Sequence, residues 1–439
     1  MLKIKKEPKI KALQKLHLSK LKKEKLDNGL VLYYLESQAA EIVKLDVIFN
    51  AGSDIENQAL TANFANNLIK EATKTQNSEE IAELFDYYGS SIANFVTNDK
   101  SGLRLNAPFD FFAQIFPVFA DLILNPSLPE KEFELLKKRY IENLKNSEQQ
   151  TSYQAQTNIN ALIFGNENSR GRLISQKDVE DLKLEHLKSY ISNYYIAKNC
   201  FIFVVGANIK NVIKSVKDYF VNPKIENWNK NLCLKPAKKN LIFSKSMEKY
   251  KFIKVENAVQ STVCIAKNIK NLSSDEFIKL EILNTILGGY FGSRLMKNIR
   301  EKKGYTYGIY SFLTKYNDCV VLKIISDVGT DFAKETVKEI FNEIRKLCNK
   351  KLSDSELTRV VNYTQGDLLS YTDGIFSQAE FYRAMLIKNR SLQTIYQMQK
   401  ILKTIDSKTI KKIAVNYLSI IQKQTEEESF FTVVAGGVE

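Results

Sequence analysis

The sequence predicts an α+β fold made of two homologous halves, each a largely antiparallel sheet packed with helices. Three observations carry this. The chain repeats itself once, at an offset of about 220 residues. Strand-period and helix-period stretches mix within each half. The composition is that of ordinary globular protein, 44% hydrophobic and 26% charged over 439 residues, a length too great for a single core.

The repeat rests on four matches in one order. LPEKEFELLKKRYIENL (Leu128 to Leu144) and LSDSELTRVVNYTQGDL (Leu352 to Leu368) share an amphipathic helix pattern, with Glu132 matching Glu356 and Leu136 matching Val360. Upstream, Asp110-Phe111 opens a helix as Asp331-Phe332 does; downstream, Asn193-Tyr194 closes one as Asn416-Tyr417 does. Each half then ends on a short hydrophobic strand, FIFVVGA from Phe201 and FFTVVAGG from Phe430. In the first half Asn28-Gly29 signals a hairpin turn before LVLYY. Residues 43–49 alternate, with Val43, Leu45, Val47 and Phe49 on one face, as in a half-buried strand. Residues 58–72 place Leu60, Phe64, Leu68 and Ala72 at helical spacing. The expected organisation is a basic N-terminal arm (1–25), an N-terminal half (26–222), an Asn- and Lys-rich linker (223–245) and a C-terminal half (246–439).

Charge and cysteine usage exclude several classes. The net charge of +14 is concentrated in residues 1–25, which hold ten Lys and two Glu, and the rest of the chain carries only about +6. Ten of the 64 basic residues are Arg, and the lysines are interspersed with Glu and Asp along helices. A nucleic-acid partner, which calls for clustered Arg and aromatics, is not expected. No run of eighteen apolar residues exists, so no membrane partner is expected, and the N-terminus lacks the apolar stretch and cleavage site of a secretory signal. Five cysteines without a CxxC pair suit free thiols in a reducing, cytoplasmic setting.

Two segments bear on chemistry. The first runs from LDNGLVLYY through IFNAGSDIEN into the helix LTANFANNLIKEAT. The second, LNTILGGYFGSRLMKNIREKKGYTYGIYS (Leu283 to Ser311), sets Arg300 and Tyr307 seven residues apart. On spacing alone, Arg300 is equally compatible with a pair to Glu301, and Tyr307 with being one core tyrosine among 21. Both segments resemble the insulinase family of zinc peptidases (pitrilysin and mitochondrial-processing-peptidase type). In active members the first-half helix carries His-x-x-Glu-His: two His one turn apart bind Zn²⁺, the Glu acts as general base, and a Glu on a later helix completes the site.

The aligned positions here are Asn63, Asn66 and Asn67, with Asn143 at the later Glu. A neutral amide is a poor zinc ligand and accepts no proton at neutral pH, so the zinc site is read as degenerate and this chain as holding no cofactor. Two histidines, His17 and His186, both read as surface residues, cannot rebuild it. The second motif is intact. The resemblance implies that Arg300 and Tyr307 stabilise the oxyanion of a peptide bond under attack, in trans with a partner's zinc. Gly288, Gly289 and Gly292 would admit close backbone approach, Gly304 a turn presenting Tyr307, and Arg294 a structural ion pair.

The expected partner is a homologous subunit with an intact His-x-x-Glu-His zinc site, forming a heterodimer that acts on peptides. Substrates are expected as an added strand on a sheet edge, with Ser91 to Asn98 matching the family's edge strand. The alternative is a catalytically silent assembly subunit of the same fold.

Overall fold

The computed structural model describes residues 16–37, 41–222, 224–230, 248–270, 272–419 and 430–438. Each half is a sheet layered with helices. The first sheet contains β1 (Lys22–Lys25), β2 (Val31–Glu36), β3 (Ile42–Phe49), β4 (Ser91–Val96), β5 (Ser101–Pro108) and β6 (Cys200–Gly206), in the order β1-β2-β6-β3-β5-β4. The second contains β7 (Tyr250–Lys254), β8 (Gln260–Ile269), β9 (Thr306–Lys315), β10 (Val320–Gly329) and β11 (Phe430–Gly436), in the order β7-β11-β8-β10-β9. The two orders superimpose once β1 is set aside. In each, the last strand of the half inserts beside the first and pairs with it in parallel, β2 with β6 and β7 with β11, while the other pairs are antiparallel.

The helices repeat too. The first half has α1 (Thr61–Leu68), α2 (Ser78–Tyr87), α3 (Phe112–Leu124), α4 (Glu130–Glu148), α5 (Thr151–Phe164), α6 (Gln176–Glu180), α7 (Leu184–Tyr194) and α8 (Ile209–Phe220). The second has α9 (Ser274–Asn284), α10 (Ala333–Asn349), α11 (Asp354–Ser370), α12 (Gly374–Ile387), α13 (Thr394–Thr404) and α14 (Ser407–Leu418). The Asp-Phe pairs sit in matching short 3-10 turns, Phe109–Phe111 and Thr330–Phe332. Their closing phenylalanines lead into α3 and α10 with the same backbone, φ −105°, ψ 4° at Phe111 and φ −104°, ψ 2° at Phe332. Of the two repeat helices, α11 has a side-chain cap, Ser353 accepting from the Glu356 amide, whereas α4 begins after Pro129 without one.

The halves are interlocked. Helix α5 of the first half lies on the second sheet, packing Ala155, Ile159 and Ile163 against Cys264, Val321 and Val433. Reciprocally, α12 of the second half lies on the first sheet, whose Leu35, Phe203 and Val205 join the second core with Ala379 and Tyr382. Arg170 ties the halves at one end, donating to Asp54 (2.8 Å) and Asp318 (2.7 Å) with its guanidinium over the Tyr316 ring. This exchange corrects the half-buried reading of residues 43–49. Helices cover both faces of β3, so Asp46 and Ile48 are buried with their neighbours.

The arm expected over 1–25 also differs where it is described. Leu16 is buried in the second core, Ser19 bonds Gln378 and Tyr382, and β1 pairs antiparallel with β2. In the linker expected over 223–245, Trp228 is buried in the first core and donates to Phe220 O at 2.8 Å, while residues 231–247 lie outside the described ones. Cys200, Cys264, Cys319 and Cys348 are free thiols, and Cys233 lies outside the described residues. Among the described residues no helix is long and apolar enough to cross a membrane.

Candidate functional site

Helix α1 is entered through a bend. Leu60 sits at φ +69°, and buried Glu56 takes the amides of Leu60 and Ala62, holding the first turn as an N-cap would. Three of the four site positions follow on this helix, and their amides bond to one another and to the core. Asn67 Nδ2 donates to Asn63 O (2.9 Å) and Asn63 Oδ1 (3.3 Å), and Asn94 Nδ2, on edge strand β4, donates to Asn67 Oδ1 at 3.2 Å. Asn66 is fully buried and donates to Tyr195 Oη at 3.1 Å, which in turn bonds Ser101 Oγ at 2.9 Å. Burial pushes the Tyr195 hydroxyl up to about 12 against the pull of its Ser101 and Asn66 bonds, so Asn66 faces a neutral phenol.

The fourth position, Asn143, lies on another helix. It is exposed on α4, which packs on α1 through the Phe64 and Tyr140 rings, and among the described residues it has no hydrogen bond to the other three. Amides at these four positions do not suit Zn²⁺. Among the described residues no cluster of three or more His, Cys, Asp or Glu could hold a metal. His17 is exposed, and His186 Nδ1 accepts the Lys183 amide at the start of α7.

The second motif folds into two π-helical turns, Thr285–Gly289 and Met296–Lys302, packed under β9. A Cβ on Gly288 would lie 2.8 Å from Ser311 N, so glycine is what lets the first turn touch the strand. The second turn buries Met296 and Ile299 and ends on Gly304 at φ +69°, with Tyr305 N bonded to Ile299 O and Gly304 N to Arg300 O. Nothing lies within 4 Å of a Cβ built on Gly304. Gly304→Ala should therefore lose only the left-handed backbone preference, about 1 kcal/mol in urea unfolding; a loss above about 3 kcal/mol would mean the turn makes contacts this geometry does not contain.

Strand β9 forms the edge of the second sheet, and a bulge aims Tyr307 outward. Ile309 pairs with Ser326 and Thr306 with Val328, so Tyr307 and Gly308 together face Asp327. Thr306 Oγ1 fixes the irregularity by donating to Asp327 O at 2.6 Å and accepting from Gly308 N at 3.0 Å. Strict alternation would put Tyr307 on the buried face with Ile309; instead it is 90% exposed.

Arg300 lies over the exposed ring of Phe291, 4.6 Å from guanidinium carbon to centroid, and makes no ion pair among the described residues. Exposed Tyr310 and Phe312 extend the aromatic edge. Neither they nor Phe291 was singled out by sequence reasoning, although all three sit in or beside the strong motif. Arg294 is a structural ion pair, bidentate to Glu356 at 2.8 and 2.9 Å. Strand β4, the stretch matched to an edge strand, is an edge of the first sheet.

Two family profiles match the chain in succession, insulinase (peptidase family M16) over residues 32–177 and peptidase M16 inactive domain over residues 181–363. An uncharacterized zinc protease YmxG of Bacillus subtilis is 21% identical over 381 residues, covering 85% of this chain and 91% of that protein. A non-peptidase homolog YmxG of Helicobacter pylori is 21% identical over 285 residues, covering 63% of each chain. The crystal structure of a peptidase M16 inactive domain from Pseudomonas fluorescens shares the fold with a TM-score of 0.81 at 19% identity, covering 95% of this chain and 98% of that one.

Proposed function

The chain belongs to the insulinase (M16) peptidase family, and from that premise we propose that it is a non-catalytic member, one subunit of a heteromeric zinc peptidase. A homologous partner with an intact His-x-x-Glu-His site supplies metal, attacking water and base. This chain supplies Arg300, Tyr307 and part of the wall around the peptide. As water adds to the scissile carbonyl, negative charge grows on its oxygen. A phenol hydroxyl and a guanidinium aimed at that oxygen, or at the flanking peptide backbone, stabilise it where water is excluded.

The observation that carries the reading is a contrast between the halves. Asn63, Asn66 and Asn67 bond each other and the core, whereas Arg300 has no carboxylate partner among the described residues and Tyr307 is almost wholly exposed. A cation and a phenol kept available on a bulged sheet edge fit recognition of a second chain or a substrate better than a structural role. The free, mostly buried thiols support a reducing compartment, the cytoplasm, for the pair.

The test is zinc analysis and peptide cleavage on the purified chain, alone and mixed with a zinc-bearing family member. The chain alone should hold less than a stoichiometric equivalent of zinc and cleave nothing, and mixing should yield activity beyond the partner's own. Stoichiometric zinc and cleavage by the chain alone would overturn the reading. No stimulation of any zinc-bearing partner would instead favour the silent assembly subunit.

A further inference from the structure

The motif from Leu283 to Ser311 holds two arginines, and they are held differently. Arg294 gives its N–H groups to Glu356 as a bidentate pair at 2.8 and 2.9 Å. Arg300 makes no ion pair or side-chain hydrogen bond among the described residues; its guanidinium carbon lies 4.6 Å from the centre of the Phe291 ring. The difference matters chemically. A carboxylate consumes the donors that a guanidinium could offer a substrate, whereas a ring attracts the cation through its quadrupole and supplies no lone pair. Arg300 is thus tethered with its donors unspent.

The ring stands on a built mount. Phe291 occupies the corner of a tight turn closed by Ser293 N donating to Tyr290 O at 3.0 Å. Tyr290 lies against Tyr363 of α11, with ring centroids 4.6 Å apart. Gly292 leaves room for the Tyr290 ring, since a Cβ there would lie 2.7 Å from it. Ahead of the turn, Asn284 at the end of α9 donates to Ser311 O of β9 at 3.1 Å. The turn is therefore anchored to α11 and to β9, yet Phe291 itself is 60% exposed. So exposed a ring adds little to the core, and what it faces is Arg300.

We infer that Phe291 is the positioning residue for Arg300: its ring holds the guanidinium in one place and leaves the N–H groups free for the substrate. This rests on the reading of Arg300 as part of a shared peptidase site. An unpaired arginine samples many rotamers. The ring favours the stacked one by about three-fold at an exposed site, and by more once a partner excludes water.

Two measurements test this. In the chain alone, the Arg300 Nε–H proton resonance, assigned through Arg300→Lys, should sit upfield because the ring shields it. In Phe291→Leu, which keeps apolar bulk and removes the π face, it should return to the ordinary position. In the mixture with a zinc-bearing family member, Phe291→Leu should lower kcat about ten-fold with KM within about two-fold, while Phe291→Tyr keeps both within about two-fold of the unaltered chain. Millimolar guanidinium should partly rescue Arg300→Ala but not Arg300→Ala combined with Phe291→Leu, a difference that a merely structural ring would not produce.

An unshielded Arg300 in the unaltered chain would overturn the inference. So would unaltered kcat in Phe291→Leu where Arg300→Ala is slowed, and the shared site would then stand without it. Unaltered rates in Arg300→Ala, or a mixture without activity beyond the partner's own, would remove the shared site and this role together.

Discussion

In the proposed complex with a zinc-bearing partner, Tyr307→Phe and Arg300→Ala should each lower the peptidase rate by about 100-fold, the usual effect of removing one oxyanion donor. The fall belongs in kcat more than in KM, because the carbonyl oxygen carries full negative charge only as the tetrahedral species forms. Both substitutions are readable as chemistry. Tyr307 is 90% exposed, so losing its hydroxyl should shift stability by no more than about 0.5 kcal/mol. Arg300→Ala loses its contact with the exposed Phe291 ring, worth about 0.5–1 kcal/mol at such a site. Tyr310→Phe, an exposed neighbour two residues beyond the bulge, serves as the control and should leave the rate within about two-fold. Rates in the Tyr307 and Arg300 variants equal to that control would remove both residues from the reaction.

The architecture was legible because it is written twice. Asp110-Phe111 and Asp331-Phe332 fold into near-identical turns, and the closing strands of the two halves take the same inserted place in their sheets. The reading of positions 63, 66, 67 and 143 as a degenerate metal site rests on residue type alone, since amides do not replace imidazole and carboxylate. The outward aim of Tyr307 was not legible. It depends on a bulge set by Thr306 and Asp327, and residue 327 belongs to a strand twenty positions away. The exchange of α5 and α12 between halves was hidden for a related reason. Its contacts, such as Arg104 with Glu380, join residues 276 positions apart, and a helix pattern shows that a face is apolar without showing which sheet receives it. For the same reason Asp46 read as the polar side of a half-buried strand when it is the centre of an ion cluster.

That cluster carries the largest expected effect on stability. Arg104 donates to Asp46 at 2.9 and 3.0 Å and to Glu380 at 2.6 and 3.1 Å, and Arg383 adds a second cation on Asp46 at 2.8 Å. Burial alone would lower the Arg104 pKa, but the bonds from Asp46 and Glu380 outweigh it and hold the guanidinium charged. The side chain of Asp46 is only 1% exposed, so Arg104→Met leaves a buried carboxylate with Arg383 as its one strong partner. The expected cost is about 3 kcal/mol in urea unfolding at neutral pH, the lower end for breaking a buried pair.

Adding Asp46→Leu should recover part of the loss, because two apolar groups of similar bulk need no partner. The sign of the pH dependence follows from Glu380. Burial, which raises its pKa, is outweighed by Arg104, so the folded-state value sits below the ordinary one. Its stabilising contribution is therefore present above the unfolded-state range and fades as pH falls through the folded value. Glu380 is 44% exposed, so this part is small, yet the gap between wild type and Arg104→Met should narrow below about pH 4. A neutral-pH loss under about 1 kcal/mol, with a gap indifferent to pH, would show that α12 is held to the first sheet by its apolar face alone.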